Sequence, residues 1–414
     1  MRPPPPRPAP VPRARPAPAN ICYSTCVNTP RTITMIAPFG IRPKGTLAAR
    51  MLPLARELVR RGHRMTIIAP PVHNPQDAGR DETIDGVLVR HTAPQPVNAA
   101  THTFALLRAA LAAPADVLHL FKPKGYGGLA VLAHRALRPR VPLVVDTDDW
   151  EGPGGWNDAL RYPPLAKALF AWQERDLPRR AAAVTVVSRA LAAQVRANGA
   201  AADRIFYLPN GGFTQDIPAH PLRTRATRLL LYTRFWEFAL DELVIALTVI
   251  AARCPDARLI VVGRGERGEH EALPRLLAEA GLTAMLDMRG WLEPAQIPAV
   301  FAEADIALVP MADTLINRAR GLAKLLELMS YGLPIVASRV GQVAEYLTHE
   351  TSGLLVPPGD DAALAASTLR LIEDDGLRAR LGAGAQAAAR TYAWERLAAT
   401  AEAAYTRALQ EMAR

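Results

Sequence analysis

The chain is poor in the residues that staple or anchor a protein. Its three cysteines, Cys22, Cys26 and Cys254, cannot form a disulfide framework for 414 residues, which excludes a stapled secreted domain and points to a reducing, cytoplasmic compartment. Cys22 and Cys26 have no second ligand pair beside them, so a zinc site is not expected. No apolar run reaches the roughly 18 residues a spanning helix needs, so any membrane contact is expected to be peripheral. Aromatic residues make up only 6%, and no series of them runs alongside the basic residues, which argues against a stacking platform for nucleic acid. Lysine is scarce too, occurring only as Lys44, Lys122, Lys124, Lys167 and Lys324.

The formal charge of +10 looks like a polyanion signal until it is located. The first 31 residues carry five arginines and no acid, and the rest of the chain stands at +5. That balance suits an enzyme of phosphorylated substrates or a surface resting on anionic lipid, and it requires no nucleic-acid partner. The proline-rich start, Pro3 to Pro6 and beyond, has no apolar h-region, so residues 1–31 are expected to be an extended, disordered leader or sequence upstream of the true start.

At half hydrophobic, the chain can bury two cores of ordinary domain size. From Thr32 short apolar strands alternate with helical periodicity, the pattern of a parallel sheet covered on both faces. Strands are expected near 33–37, 65–69, 87–91, 116–121, 143–147, 183–187 and 204–208. A second series is expected near 229–232, 258–262, 284–288, 305–309, 335–337 and 353–356. The implied division is an N-terminal Rossmann-like domain over 32–213, a polar hinge over 214–227, and a second Rossmann-like domain over 228–390. An amphipathic helix with Trp394, Leu397 and Tyr405 follows within 391–414.

The most specific stretch is Lys324-Leu-Leu-Glu327-Leu-Met-Ser-Tyr-Gly332-Leu-Pro334, a helix that stops at glycine and passes through proline into an apolar strand. Its start carries a base and an acid where unpaired N–H groups and the helix dipole favour a phosphate. With Gly341 it resembles the donor signature of glycosyltransferases of the GT-B fold, most closely the retaining family 4. The resemblance covers roughly residues 32 to 410. It implies an α/β chain of two doubly wound, Rossmann-like domains facing a cleft, with the C-terminal helix crossing back to the N-terminal domain. Glu327 would then hold the nucleotide ribose and the helix start, including Leu325, the diphosphate. Without the resemblance, Glu327 would be a helix glutamate paired with Lys324.

Other positions match the same pattern. Arg234, just after a strand, matches an arginine aimed at the diphosphate, for which a planar fork is well shaped. Lys324 would be the second cation. Gly263 and Gly265 match a glycine loop beside the nucleotide, although any tight strand-to-helix turn selects glycine. Gly290-Trp291 matches the segment that reads the base; Trp291 would stack on the base or serve domain packing. Two positions depart from the pattern. The first acid of the family's E-x7-E falls at Ala319, leaving Asp313 as a substitute or a weakened enzyme. The lysine usual after the arginine is replaced within Phe238-Ala239-Leu240, its charge left to Lys324.

On the acceptor side, Gly40, Lys44, Gly45 and Thr46 form a turn after the first strand that lacks Walker spacing, so it is a substrate-facing loop or a plain tight turn. Asp148 and Asp149 belong to the densest acidic cluster, Asp146-Thr-Asp148-Asp149-Trp150-Glu151. They would bind acceptor hydroxyls or act as a base, unless they simply cap a helix. The D-x-D spacing invites a metal, but the resemblance implies none, and no histidine stands close by. His119, within an apolar strand, reads as core. The expected activity is transfer of a hexose from a nucleoside-diphosphate sugar to a sugar or lipid-linked hydroxyl, with retention, in polysaccharide or glycolipid synthesis. No cofactor is implied beyond the donor. The rival reading is a scaffold that binds nucleotide-sugar or a partner enzyme without turnover; a phosphorylase or epimerase of similar architecture is a more distant one. Residues 161–180, with Lys167, Phe170 and Trp172, are the segment that could rest on lipid or pack inside.

Overall fold

The computed structural model describes residues 29–42, 47–212, 217, 220, 221, 223–265 and 268–413. All but the last three residues of the expected leader, with Cys22 and Cys26, lie outside these residues, as do Lys44, Gly45, Thr46 and much of the expected hinge.

Two sheets organise the chain. The first is built from β1 (Thr32–Ile36), β2 (Arg64–Ala69), β3 (Asp81–Ile84), β4 (Val87–His91), β5 (Val117–Phe121), β6 (Leu143–Thr147), β7 (Ala183–Val186) and β8 (Ile205–Tyr207) in the order β3-β4-β2-β1-β5-β6-β7-β8. The second contains β9 (Arg228–Tyr232), β10 (Arg258–Val262), β11 (Leu286–Gly290), β12 (Ile306–Val309), β13 (Ile335–Ser338) and β14 (Leu354–Val356) in the order β11-β10-β9-β12-β13-β14. Pairing is parallel except between β3 and β4. Strands β1, β5 and β6 are buried along their whole length, as expected for central strands with helices on both faces. The order turns back between β1 and β5 and between β9 and β12, the switch points at which such sheets open a ligand crevice.

Strand β3 is not expected from the sequence. It is half exposed and mostly polar, with no apolar run, and it is joined to β4 through Asp85-Gly86, both at positive φ, the geometry of a tight hairpin turn. The first helix after β1 begins as a π-helical turn, Leu47–Met51, before the α-helix Leu52–Arg60; Arg50 in that turn is buried.

The C-terminal helix Trp394–Met412 leaves the second sheet's half and packs on the first. Trp394, Leu397, Ala401 and Tyr405 share one core with Ile33, Met35, Met51 and Val144. Burying a large apolar side chain contributes about 1.5–3 kcal/mol, so this seam holds the two halves together. Tyr405 reaches His119 Nδ1 with its hydroxyl at 3.0 Å, and Glu402 meets His63 Nε2 at 3.0 Å. His119 is thus a core residue, held neutral by burial that pushes its pKa down to about 4.

Candidate active site

The carboxyl ends of the two sheets face each other across a cleft of about 740 Å³, within the roughly 300–1,000 Å³ of small-molecule sites. On the C-terminal side the helix Ala323–Ser330 points its start at the cleft, and the N–H of Leu322 is fixed by Gln342 Oε1 at 2.6 Å. Lys324 and Glu327 both line the cleft, joined through Tyr232. The Lys324 ammonium stands 4.2 Å from the Tyr232 ring centre, and the Tyr232 hydroxyl hydrogen-bonds Glu327. Burial, reinforced by Arg320 and Arg234, pushes the Lys324 pKa down to about 8. Arg234 is exposed toward the same space, beside the indole of Trp236. Gly263 also lines it, at φ 134°; a Cβ there would lie 1.8 Å from the Thr233 carbonyl oxygen, so only glycine lets β9 and β10 end so close together. Trp291 is 54% exposed on the rim.

On the N-terminal side Lys122 leaves the end of β5 at φ 56° and meets Asp148 at 3.0 Å, Asp149 at 2.6 Å and Glu151 at 3.6 Å. Lys124 meets the same Glu151 at 2.5 Å. Burial opposes the charge on Lys122, but the three carboxylates hold its pKa well above the ordinary value. The two aspartates differ. Burial raises the Asp148 pKa, whereas at Asp149 the opposing Lys122 charge wins and the pKa falls. Asp149 is therefore a fixed carboxylate, suited to accepting a hydroxyl hydrogen bond and a weak proton acceptor. Below this cluster Glu174 is fully buried with its pKa well raised by burial and by Glu151.

The halves also touch beside the cleft, through largely buried groups. Gly321 N–H donates to the Asp148 carbonyl at 3.2 Å, Ser188 Oγ to the Ala319 carbonyl at 2.6 Å, and Gln342 Nε2 to the Val187 carbonyl at 2.6 Å. Trp156 and Trp236, one from each side, meet edge to face with ring centres 4.7 Å apart.

Two family models fit the chain in succession: the glycosyl transferase 4-like domain over residues 45–211 and glycosyl transferases group 1 over residues 226–374. The chain belongs to the GT-B glycosyltransferases of the family 4 type. A phosphatidyl-myo-inositol mannosyltransferase of Mycobacterium leprae is 27% identical, the match spanning 87% of this chain and 93% of that one. A D-inositol 3-phosphate glycosyltransferase of Salinispora tropica is 35% identical over 38% of this chain and 33% of its own. Among solved structures, sucrose-phosphate synthase from Thermosynechococcus elongatus superposes with a TM-score of 0.68 at 18% identity, covering 89% of this chain and 96% of that one. HepE of Anabaena in complex with UDP and glucose superposes at 0.66 and 19%, covering 92% and 98%.

In this glycosyltransferase, Gly40, Asp148, Asp149, Arg234, Gly263, Trp291, Lys324 and Glu327 all border the one cleft. Gly265 and Gly290 are not part of its lining, and the Leu325 side chain is buried in the core, leaving its backbone for the helix start. Position 319 has a physical reason to lack an acid. Ala319 is 1% exposed and packed into the apolar core of the N-terminal half, where a carboxylate would be costly. Asp313 does not replace that acid: it is bound by Arg318 Nη2 at 2.6 Å at the surface and is no part of the cleft lining. Close behind the cleft wall stands Glu237, buried and bound to Arg320. Arg50, Lys122, Lys124, Trp236 and Arg320 are cleft residues not singled out for a role from sequence. Only Lys122-Pro-Lys124 carried a visible signal, two lysines together in a chain that has almost none.

Proposed function

We propose that this glycosyltransferase moves a hexose from a nucleoside-diphosphate sugar to a sugar or lipid-linked hydroxyl acceptor, retaining anomeric configuration, in polysaccharide or glycolipid synthesis. The observation that carries the reading is the polarity of the cleft. Its C-terminal wall presents the cations Arg234 and Lys324 beside the carboxylate Glu327, and its N-terminal wall presents hydrogen-bond acceptors on Asp148 and Asp149. Glu327 would take the ribose hydroxyls, and Arg234, Lys324 and the helix start the diphosphate. HepE, bound to UDP-glucose, makes UDP-glucose the first donor to try. The mannosyltransferase relative acts, by name, on phosphatidyl-myo-inositol, which supports a polyol hydroxyl as acceptor.

In the reaction the bond from the anomeric carbon to the phosphate oxygen breaks and the bond to the acceptor oxygen forms. The hydroxyl proton passes to the departing phosphate, so no strong protein base is required, consistent with Asp149 being held as a carboxylate by Lys122. Negative charge grows on the leaving diphosphate, and fixed cations there lower the barrier. We assign this compensation to Arg234 and Lys324 rather than to a metal or other cofactor. Asp146, the first acid of the D-x-D spacing, is already bound by Arg50 and Thr185. A cytoplasmic location with peripheral lipid contact belongs to the same proposal. Leu165, 86% exposed, and Trp172 stand out on helix Pro164–Arg180, and among the described residues no helix is long and apolar enough to cross a membrane.

The test is a thermal-shift screen of the full chain against UDP, GDP, ADP, TDP and their sugar conjugates without added metal. Stabilisation by one nucleotide family, which mass action requires of a native-state ligand, is expected and identifies the base. Silence across the panel would remove the donor site, and binding without product toward any hydroxyl acceptor would mark a scaffold.

A further inference from the structure

Arg320 follows directly on the buried Ala319 and enters the cleft with a side chain only 11% exposed. Its position is set by three neighbours. Its Nη1 donates to Glu237 Oε1 at 3.1 Å, and its guanidinium carbon lies 4.5 Å from the centre of the Trp236 ring. Its charge also acts on Asp149 from the opposite half of the molecule. Glu237 is in turn fixed, because its other oxygen accepts from Thr233 Oγ1 at 2.9 Å and from the Arg234 N–H at 3.1 Å. A carboxylate with both oxygens engaged cannot swing away, so it aims the guanidinium as well as neutralising it. The neighbouring Gly321 is bonded to the Asp148 carbonyl, which ties the backbone of this segment to the acceptor wall.

This arrangement is dear to maintain in an empty cleft. Three cations, Arg234, Arg320 and Lys324, share one wall with the carboxylate Glu327, and Glu237 stands buried behind them. Arg320 and Arg234 both help to depress the ammonium of Lys324, the behaviour of like charges held together. An anion placed among them would relieve that repulsion. A guanidinium stacked on an indole and steadied by one carboxylate still has N–H donors to offer a phosphate.

We propose that Arg320 is a third cation of the diphosphate clamp, aimed by Glu237 and braced on Trp236, and that it sits on the phosphate nearest the transferred sugar because its neighbour Gly321 is bonded to the acceptor-side Asp148. The inference rests on the nucleotide-sugar reading above. It supplies the charge that Phe238-Ala239-Leu240 lacks and gives Glu237 a positioning role, without contact with substrate.

The experiment compares, by titration calorimetry, the full-length wild type with Arg320→Met and Arg320→Lys, using the diphosphate, monophosphate and unphosphorylated nucleoside of the base found in the screen. Arg320→Met is expected to weaken the diphosphate by roughly tenfold or more, the worth of a charge-assisted hydrogen bond, while nucleoside affinity stays put. Arg320→Lys keeps the charge without the fork and should fall between. Glu237→Gln should lower kcat more than it raises KM, as expected of a group that aims a transition-state contact. A diphosphate-to-nucleoside ratio unchanged in Arg320→Met, or in Arg320→Lys should the first variant fail to fold, overturns the assignment. A wild type that binds none of the three ligands overturns the nucleotide-sugar reading itself.

Discussion

Arg50 and Asp146 are joined fork to fork, Nε to Oδ1 at 2.8 Å and Nη2 to Oδ2 at 2.7 Å, with both residues essentially buried. The remaining donors of Arg50 reach the carbonyls of Leu208 at 2.7 Å and Pro209 at 3.2 Å, and Asn210 Oδ1 at 3.1 Å. One side chain therefore ties the π-helical turn to the end of β6 and to the segment that leaves the first sheet. The geometry fits arginine and would not fit lysine, because a single ammonium cannot serve both carboxylate oxygens and three further acceptors.

Removing one partner of such a pair leaves a buried, uncompensated charge, which costs about 3–5 kcal/mol. Arg50→Met is expected to lose stability of that order in urea unfolding followed by tryptophan fluorescence. Arg50→Met with Asp146→Leu should recover much of the loss. Equal loss in the single and double variants would show that the pair does not act as a unit.

Glu327→Ala tests the ribose assignment. The variant should bind the nucleoside diphosphate at least about tenfold more weakly, since each lost charge-assisted hydrogen bond is worth roughly 1.5–3 kcal/mol. The loss should vanish for an analogue lacking both ribose hydroxyls, which wild type and variant are expected to bind alike. An equal loss with that analogue would place Glu327 in the support of Tyr232 instead, a role its hydrogen bond to that ring makes available.

Lys324 gives the donor site a pH dependence. Burial and two neighbouring guanidinium groups bring its pKa down to about 8, so the empty site loses this proton as pH rises through that value. A diphosphate favours the charged form and raises the pKa, and by linkage binding takes up protons. Diphosphate affinity is expected to be full below pH 8 and to fall above it, approaching a tenfold loss per pH unit while only the complex holds the proton. Calorimetry at pH 7 and pH 9 checks this, with Lys324→Met as the control that should flatten the profile. A wild-type affinity that holds steady across that range would mean that the ammonium does not touch the phosphates.

Much of this could be read from residues in order. The burial that makes Val117–Phe121 and Leu143–Thr147 central strands is written as continuous apolar runs, and the helix carrying Lys324 and Glu327 announces itself by spacing. What stayed hidden is what the chain assembles from a distance. Arg50 meets Asp146 across 96 positions, and Arg320 meets Glu237 across 83; neither pair has a local signature. Ala319 looked like a missing catalytic group because its burial against the opposite half cannot be seen in sequence. Strand β3 escaped because a polar edge strand pairs through its backbone, which carries no hydrophobic period.

Asp149→Asn separates acceptor chemistry from donor binding. Lys122 binds Asp149 at 2.6 Å but also meets Asp148 and Glu151, so the lysine keeps carboxylate partners in the variant and the fold should survive. Arg320 loses only a second, more distant acid, since Glu237 remains at 3.1 Å. Diphosphate affinity should therefore be unchanged or slightly tighter. A neutral amide accepts a hydroxyl hydrogen bond more weakly than a carboxylate. A lost hydrogen bond to a charged group is worth roughly 1.5–3 kcal/mol, so transfer should fall by roughly ten- to a hundredfold while donor hydrolysis by water falls less, water needing no orientation by Asp149. The comparison to make is sugar transfer against donor hydrolysis in one assay, by chromatography of the released nucleotide. Full transfer would return Asp149 to the structural support of Lys122, and equal losses in the two activities would move its effect to the donor.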